Sequence, residues 1–165
     1  MSITIRPATI DDLPSILSIV NYSIEHTTAN YNYEPQTIDA QKEWFSAKAT
    51  AGFPVIVAVD DQGVVGFGTY GTFREKVGYR FTVEHSVYVT NQRVSQGIGS
   101  LLLKHLILTA KSEGYHAMIG GIDASNASSI AFHAKLGFTE CGIIREAAYK
   151  FDRWLDLMFM QLILK

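Results

Sequence analysis

A carboxylate, a glycine turn and a helix start stand close together between Thr82 and Ser100. The run Thr82-Val83-Glu84-His85-Ser86-Val87-Tyr88-Val89 has the β-branched and aromatic content of a strand. Strand residues alternate faces, so Val83, His85, Val87 and Val89 share one side while Glu84, Ser86 and Tyr88 share the other. A polar loop then leads into Gly97-Ile98-Gly99 and the apolar Leu101-Leu102-Leu103. Glycines leave backbone N–H groups open and a helix start carries a positive dipole end, so this turn predicts an anion site suited to phosphate or pyrophosphate. An anion site just downstream of a candidate base, Glu84, points to group transfer from a phosphate-bearing donor. A dinucleotide fingerprint is disfavoured, because Gly97-Ile98-Gly99 lacks the third glycine and follows a strand read as lying outside a parallel βαβ unit.

The elements that must position these residues read as one α/β domain spanning 1–165, with no linker, repeat or low-complexity segment. A chain of 165 residues is long enough to bury roughly two-thirds of its unfolded surface. Ile3-Thr4-Ile5-Arg6 predicts a first strand, and Thr9 with Asp12 has capping-box spacing. Leu13, Ile16, Leu17, Val20 and Ile24 recur at helical spacing, with Pro14 early enough to be tolerated. A second helix is expected over 38–49, then a strand at Val55-Ile56-Val57-Ala58-Val59, a turn at Asp60-Asp61-Gln62-Gly63, and a hairpin partner from Val64 to Tyr70. With the strand from Phe81 to Val89 these form an antiparallel meander. A buried strand over 117–122, a helix over 128–136 ended by Gly137, and a last strand over 155–164 complete the reading.

Composition narrows the function classes. With 14 Lys+Arg against 16 Asp+Glu and a formal net charge of −2, no basic surface calls for nucleic acid, and a small-molecule partner is expected. Cys141 is the single cysteine, so no intramolecular disulfide forms. The start of the sequence lacks a secretory apolar region, and no apolar run reaches the roughly 20 residues of a membrane span, so a cytoplasmic, soluble protein is expected. No clustered ligand set calls for a metal.

Five segments, the run from Arg80 to Val89, Gly97-Ile98-Gly99, Asn126 with Ser129-Ile130 and His133, Leu136-Gly137-Phe138, and the run from Lys150 to Leu157, stand in this order along the chain. Together they resemble the GNAT N-acetyltransferase superfamily, and within it the phosphinothricin, methionine sulfone and methionine sulfoximine acetyltransferases. The resemblance implies a mixed, mostly antiparallel, splayed central sheet flanked by helices, acetyl-CoA as acetyl donor, and a homodimer. It also implies direct attack of an amine on the thioester through a tetrahedral intermediate, with an amino-acid-like acceptor; another amine, such as a polyamine or a protein N-terminus, or a non-catalytic acetyl-CoA sensor, are the alternatives.

On this resemblance the donor's pyrophosphate is held by backbone groups of the loop Val94, Ser95, Gln96, Gly97, Ile98, Gly99 and Ser100, where Val94 and Ser95 depart from the family's usual residues. Arg93 or Gln96 offers a side-chain contact. The pantetheine arm pairs with Val87, Tyr88 and Val89, and Asn126 hydrogen-bonds the donor, caps its helix, or does both. Glu84 either removes the amine's proton, help worth about 10²–10⁴-fold in rate, or forms an ion pair with Arg80. His133, where many superfamily members have Tyr, either protonates the leaving thiolate or packs beside the donor; His85 is directed to the apolar face. Arg74 and Arg80 would read the acceptor's carboxylate as planar forks, with Glu75, Lys76, Ser86 and Tyr31 nearby; the alternative for the Arg74-Glu75-Lys76 run is solvated charge.

Overall fold

Residues 2–165, which the computed structural model describes, form seven strands and four α-helices. The strands are β1 (Thr4–Pro7), β2 (Val55–Asp60), β3 (Gly63–Thr72), β4 (Thr82–Val89), β5 (Ala117–Asp123), β6 (Thr139–Lys150) and β7 (Arg153–Ile163). The helices are α1 (Leu13–His26), α2 (Ile38–Ala51), α3 (Ile98–Ser112) and α4 (Ala127–Lys135). Along the chain they follow in the order β1-α1-α2-β2-β3-β4-α3-β5-α4-β6-β7. One sheet holds every strand in the order β1-β2-β3-β4-β5-β7-β6, with all pairs antiparallel except β4 with β5. The mixed, mostly antiparallel sheet flanked by helices is therefore the observed architecture.

The period-2 alternation of the strands divides the core between two faces. Val55, Val57 and Phe67 pack with α1 residues Leu13, Ile16, Val20 and Ile24, and with Trp44 and Phe45 of α2. Ile56, Ala58, Val65 and Val83 point the other way, onto Ile98, Leu102, Leu103 and Leu106 of α3, with Ile130 and Phe132 of α4 beside them. The α1 stripe differs from expectation in one position: Ile19 is buried, whereas Leu17 is only partly so. At the start of α1, Asp12 accepts the Thr9 N–H at 2.8 Å and a paired contact from Arg6 at 2.7 and 2.9 Å.

Two expectations need correction. The strand β6 was not anticipated, because this edge strand is exposed over nearly its whole length and two bulges against β7 break its alternation. The glycine turn does lie within a parallel βαβ unit, since α3 carries the chain from β4 across to a parallel β5. A hydrophobic pattern carries no strand direction, but a crossover as long as α3 permits the parallel return.

That parallel pair is short. Thr82, Val83 and Glu84 register with Ala117, Met118 and Ile119, and beyond this point β4 and β5 separate while β4 keeps β3 as its partner as far as Val89. The sheet thus forks after Glu84, leaving the β5-facing edge of Ser86 to Val89 without a strand partner.

Candidate active site

The fork opens a cleft of about 590 Å³ lined by residues from both faces of the sheet. Glu84, Ser86 and Tyr88 line it from the α1/α2 face, while His85 and Val87 of the opposite face and His133 of α4 line it too. Sheet divergence explains how both sides of one strand reach one space.

Glu84 occupies the last position of β4 that pairs with β5, at the base of the fork. Burial pushes its pKa above the ordinary carboxylate value, and the nearby Arg74 guanidinium pulls part of the way back. On β5, Gly121 lies alongside the carboxylate, where a Cβ would make ordinary contact, 3.8 Å from Glu84 Oε2 and 3.4 Å from Leu157. Arg74 lines the cleft, its guanidinium 5.4 Å from the Phe73 ring centroid. Tyr31 lines it as well, and burial followed by the charge of Asp123 raises its phenol pKa.

Behind the opposite wall, two buried imidazoles meet. His133 Nδ1 lies 2.7 Å from the Ser129 carbonyl, which can only accept, so Nδ1 carries the proton. Neutral His133 then presents a lone pair at Nε2, and His85 Nε2–H, 3.1 Å away, donates to it. This leaves His85 Nδ1, buried and without a partner, as the unprotonated nitrogen. Burial, then His133, drives the His85 pKa down to about 3; burial also lowers that of His133, against the Ser129 carbonyl. Gly120 permits the meeting, because a Cβ there would lie 3.0 Å from His85 Nε2 and 3.1 Å from His133 Nε2. Asn126 lines the cleft and caps α4, its Oδ1 accepting the Ser129 N–H at 3.0 Å.

The remaining wall was not foreseen from the sequence. Asp123, at the end of β5, accepts from the Thr28 hydroxyl at 2.6 Å and from the Ser125 N–H and hydroxyl at 3.0 and 2.9 Å. Burial raises its pKa, but these hydrogen bonds and Arg153, 3.7 Å away, outweigh that and hold it below the usual value. Lys150 is 4% exposed and donates to the Thr27 and Asn30 carbonyls, tying down the loop that carries Thr28 and Tyr31. The sequence signals were the Gly120-Gly121 pair within a strand and an aspartate two residues before a serine, an Asx-turn pattern.

The anion loop lies at the far end of β4. Ser95 (φ 65°) and Gly97 (φ 80°) are both left-handed, and among the described residues the amides of Ser95, Gln96 and Gly97 donate to no backbone carbonyl. With the first turn of α3 they form a concave set of open donors. Val94 and Gln96 are exposed, Ile98 is core, and Gly99 faces Phe132. Arg93 is committed elsewhere, to Asp60 at 3.1 Å and Gln62 at 2.9 Å.

Three residues expected beside an acceptor lie outside the cleft. Glu75, Lys76 and Arg80 are exposed, because the chain loops outward through a 3-10 turn at Val77–Tyr79 before β4 begins. The Arg80 guanidinium lies over its neighbour Phe81, 4.5 Å from the ring centroid, and makes no ion pair with Glu84 among the described residues.

Comparison with known proteins places this geometry in context. The profile of the acetyltransferase (GNAT) domain matches residues 5–159. An L-methionine sulfoximine/L-methionine sulfone acetyltransferase from Pseudomonas paraeruginosa is 45% identical over 163 residues, covering 98% of this chain and 95% of its own. The crystal structure of an N-acetyltransferase from Staphylococcus aureus superposes with a TM-score of 0.98 at 45% identity, over 100% of both chains. A phosphinothricin acetyltransferase from Sinorhizobium meliloti, solved in complex with AcCoA, superposes with a TM-score of 0.95 at 36% identity, over 99% of this chain and 89% of that one.

Proposed function

The chain belongs to the GNAT acetyltransferase family, and from that premise we propose that it transfers acetyl from acetyl-CoA to the α-amine of a small amino-acid analogue of the methionine sulfone, methionine sulfoximine or phosphinothricin kind. The observation that carries this reading is the position of Glu84 at the base of the fork, where the free edge of β4 meets a cleft lined by Arg74.

The residues present fit the donor. The unpaired edge of Ser86 to Val89 suits an amide-rich arm, which Val87, Tyr88 and Val89 would hold in strand fashion. The open amides of Ser95 to Gly97 and the start of α3, through Ile98, Gly99 and Ser100, suit a pyrophosphate without side-chain help. When bound, acetyl-CoA supplies an activated thioester carbonyl.

Glu84 accepts the proton of the acceptor's ammonium, directly or through water. Its raised pKa makes it a better base than an ordinary carboxylate. Arg74 pairs with the acceptor's carboxylate, with Tyr31 and Ser86 as walls. His133 holds one proton on Nδ1, engaged by Ser129, and shares the other through His85, so the pair meets the thioester end as a neutral group. Each imidazole holds one proton and both protons are engaged, so in this state the pair packs beside the thioester end and does not supply the thiolate's proton.

We read the whole chain, 1–165, as one catalytic domain, cytoplasmic, and paired as a homodimer. No helix among the described residues is long and apolar enough to cross a membrane. Ile143, Ile144, Tyr149, Phe151 and Trp154 leave an exposed apolar surface on the β6–β7 hairpin, which a second copy would cover.

The test is thiol release from acetyl-CoA with methionine sulfone, methionine sulfoximine, phosphinothricin, spermidine and an N-terminal peptide, each product weighed for one added acetyl group. Turnover on the first three supports the reading. Turnover confined to spermidine or peptide replaces the acceptor, and donor binding without any turnover replaces the enzyme with a sensor.

A further inference from the structure

Beside the main cleft lies a second hollow of about 190 Å³, sharing Asn30, Ser86 and Tyr88 with it. Trp44 and Phe67 form its apolar side, their ring centroids 6.3 Å apart. Its charged and polar lining contains one cation, Lys48, and no carboxylate.

Two groups there lack the partners that burial demands. Gln41 is the one buried residue of α2, 1% exposed, and neither its Nε2 nor its Oε1 has a hydrogen-bond partner in the chain. A buried side-chain amide without partners is unfavourable unless a bound group satisfies it. Lys48 donates a single hydrogen bond, to the Tyr70 carbonyl at 2.9 Å, lies 5.4 Å from the Phe53 ring centroid, and forms no ion pair among the described residues. Burial lowers its pKa, the mark of an ammonium short of partners. Gly71 gives it room, since a Cβ there would stand 2.9 Å from Lys48 Nζ.

We propose that this hollow is the acceptor's side-chain subsite, built for oxo groups on a tetrahedral sulfur or phosphorus. The inference rests on the acetyl-transfer reading for placing the amine at Glu84. Ser86, on the shared wall, is two residues further along the same face of β4, which is about 6.6 Å. That is close to the reach of a four- or five-atom side chain, so an amine at Glu84 brings the tail to the hollow. Gln41 Nε2–H and the spare Lys48 protons donate to S=O or P–O oxygens, and Gln41 Oε1 can accept a sulfoximine N–H. A plain alkyl tail satisfies neither group, which is how a site built around buried polar atoms rejects the analogue lacking them.

Trp44 is a built-in reporter of occupancy, and a Trp154→Phe background makes it the single tryptophan. Its emission is titrated with methionine sulfone, phosphinothricin and norleucine without acetyl-CoA, and kcat/KM is measured for each acceptor. The expected result is a saturable change with the first two and none with norleucine. Gln41→Met should abolish the methionine sulfone response and lower its kcat/KM at least about tenfold, with norleucine unchanged. Lys48→Met should cost the anionic phosphinothricin more than the neutral sulfone. Equal losses on all three acceptors, or a silent Trp44 during sulfone turnover, overturn the subsite. A Trp44 response to the sulfone with no turnover on any acceptor supports the hollow as a binding site and removes the acetyl-transfer reading instead.

Discussion

Glu84 shows what one position demands of its surroundings: a carboxylate at a fork, crowded enough to lose water, with the charge of Arg74 offsetting part of the upward shift that burial causes. Glu84→Gln keeps the shape and removes the base, so kcat should fall about 10²–10⁴-fold while acetyl-CoA affinity by calorimetry stays nearly the same. The raised pKa fixes the direction of the pH dependence. The carboxyl is protonated below that value and inactive as a base, so kcat/KM should fall with decreasing pH, with an inflection above the ordinary glutamate range. Ser95 makes a different demand, because its φ of 65° is one that an L-residue adopts at a cost of about 1–2 kcal/mol. Ser95→Gly relieves that cost and adds about 0.5–1 kcal/mol of chain entropy loss, so thermal melting should show a net gain of at most about 1.5 kcal/mol. Ser95→Val should melt earlier.

At the scale of elements, β5 works because it has no side chain on either face at the fork. Gly120→Ala would drive a methyl into the two imidazole nitrogens, push α4 outward, and destabilise by about 1–3 kcal/mol in urea unfolding. Lys150→Met should free the loop carrying Thr28 and Tyr31, raising the acceptor's KM more than that of acetyl-CoA. Apolar runs and periodicity made α1, α3, β7 and the strands β1 to β5 readable, whereas α2 and α4 bury only Gln41 and His133 and were read from their flanking Pro54 and Gly137. Periodicity could not reveal β6, whose residues face solvent on both sides and whose pairing is bulged. Nor could it reveal direction, so the parallel return of β5 was missed. Within the site, Glu84 and Arg74 were legible because a charge beside a strand or loop motif stands out. Asp123 and Lys150 were not, because their meaning lies in partners 95, 120 and 123 residues away in sequence. Arg80 resembled Arg74 in type and context, and only the outward turn at Val77–Tyr79 separates them.

Across the whole molecule, the histidine pair sets an acid limit. His85 falls from an ordinary pKa of 6.5 to about 3 on folding, and His133 is lowered too. The unfolded chain therefore binds more protons below pH 6.5, and stability that is complete above this value is lost as pH falls, by up to about 1.4 kcal/mol per pH unit for each histidine. Urea midpoints should be flat above pH 7 and decline steadily below pH 6.5. The apolar β6–β7 surface predicts that sedimentation will find a dimer, and that Ile143→Lys will shift it toward monomer. The fork, finally, has a consequence for the order of events. The cleft takes side chains from both faces of the sheet, Glu84, Ser86 and Tyr88 from one and His85, Val87 and His133 from the other, so donor and acceptor have separate walls and neither needs to depart before the other arrives. Initial-velocity lines at several fixed donor concentrations should therefore intersect rather than run parallel, and free coenzyme A should compete with the donor while leaving the acceptor's wall open.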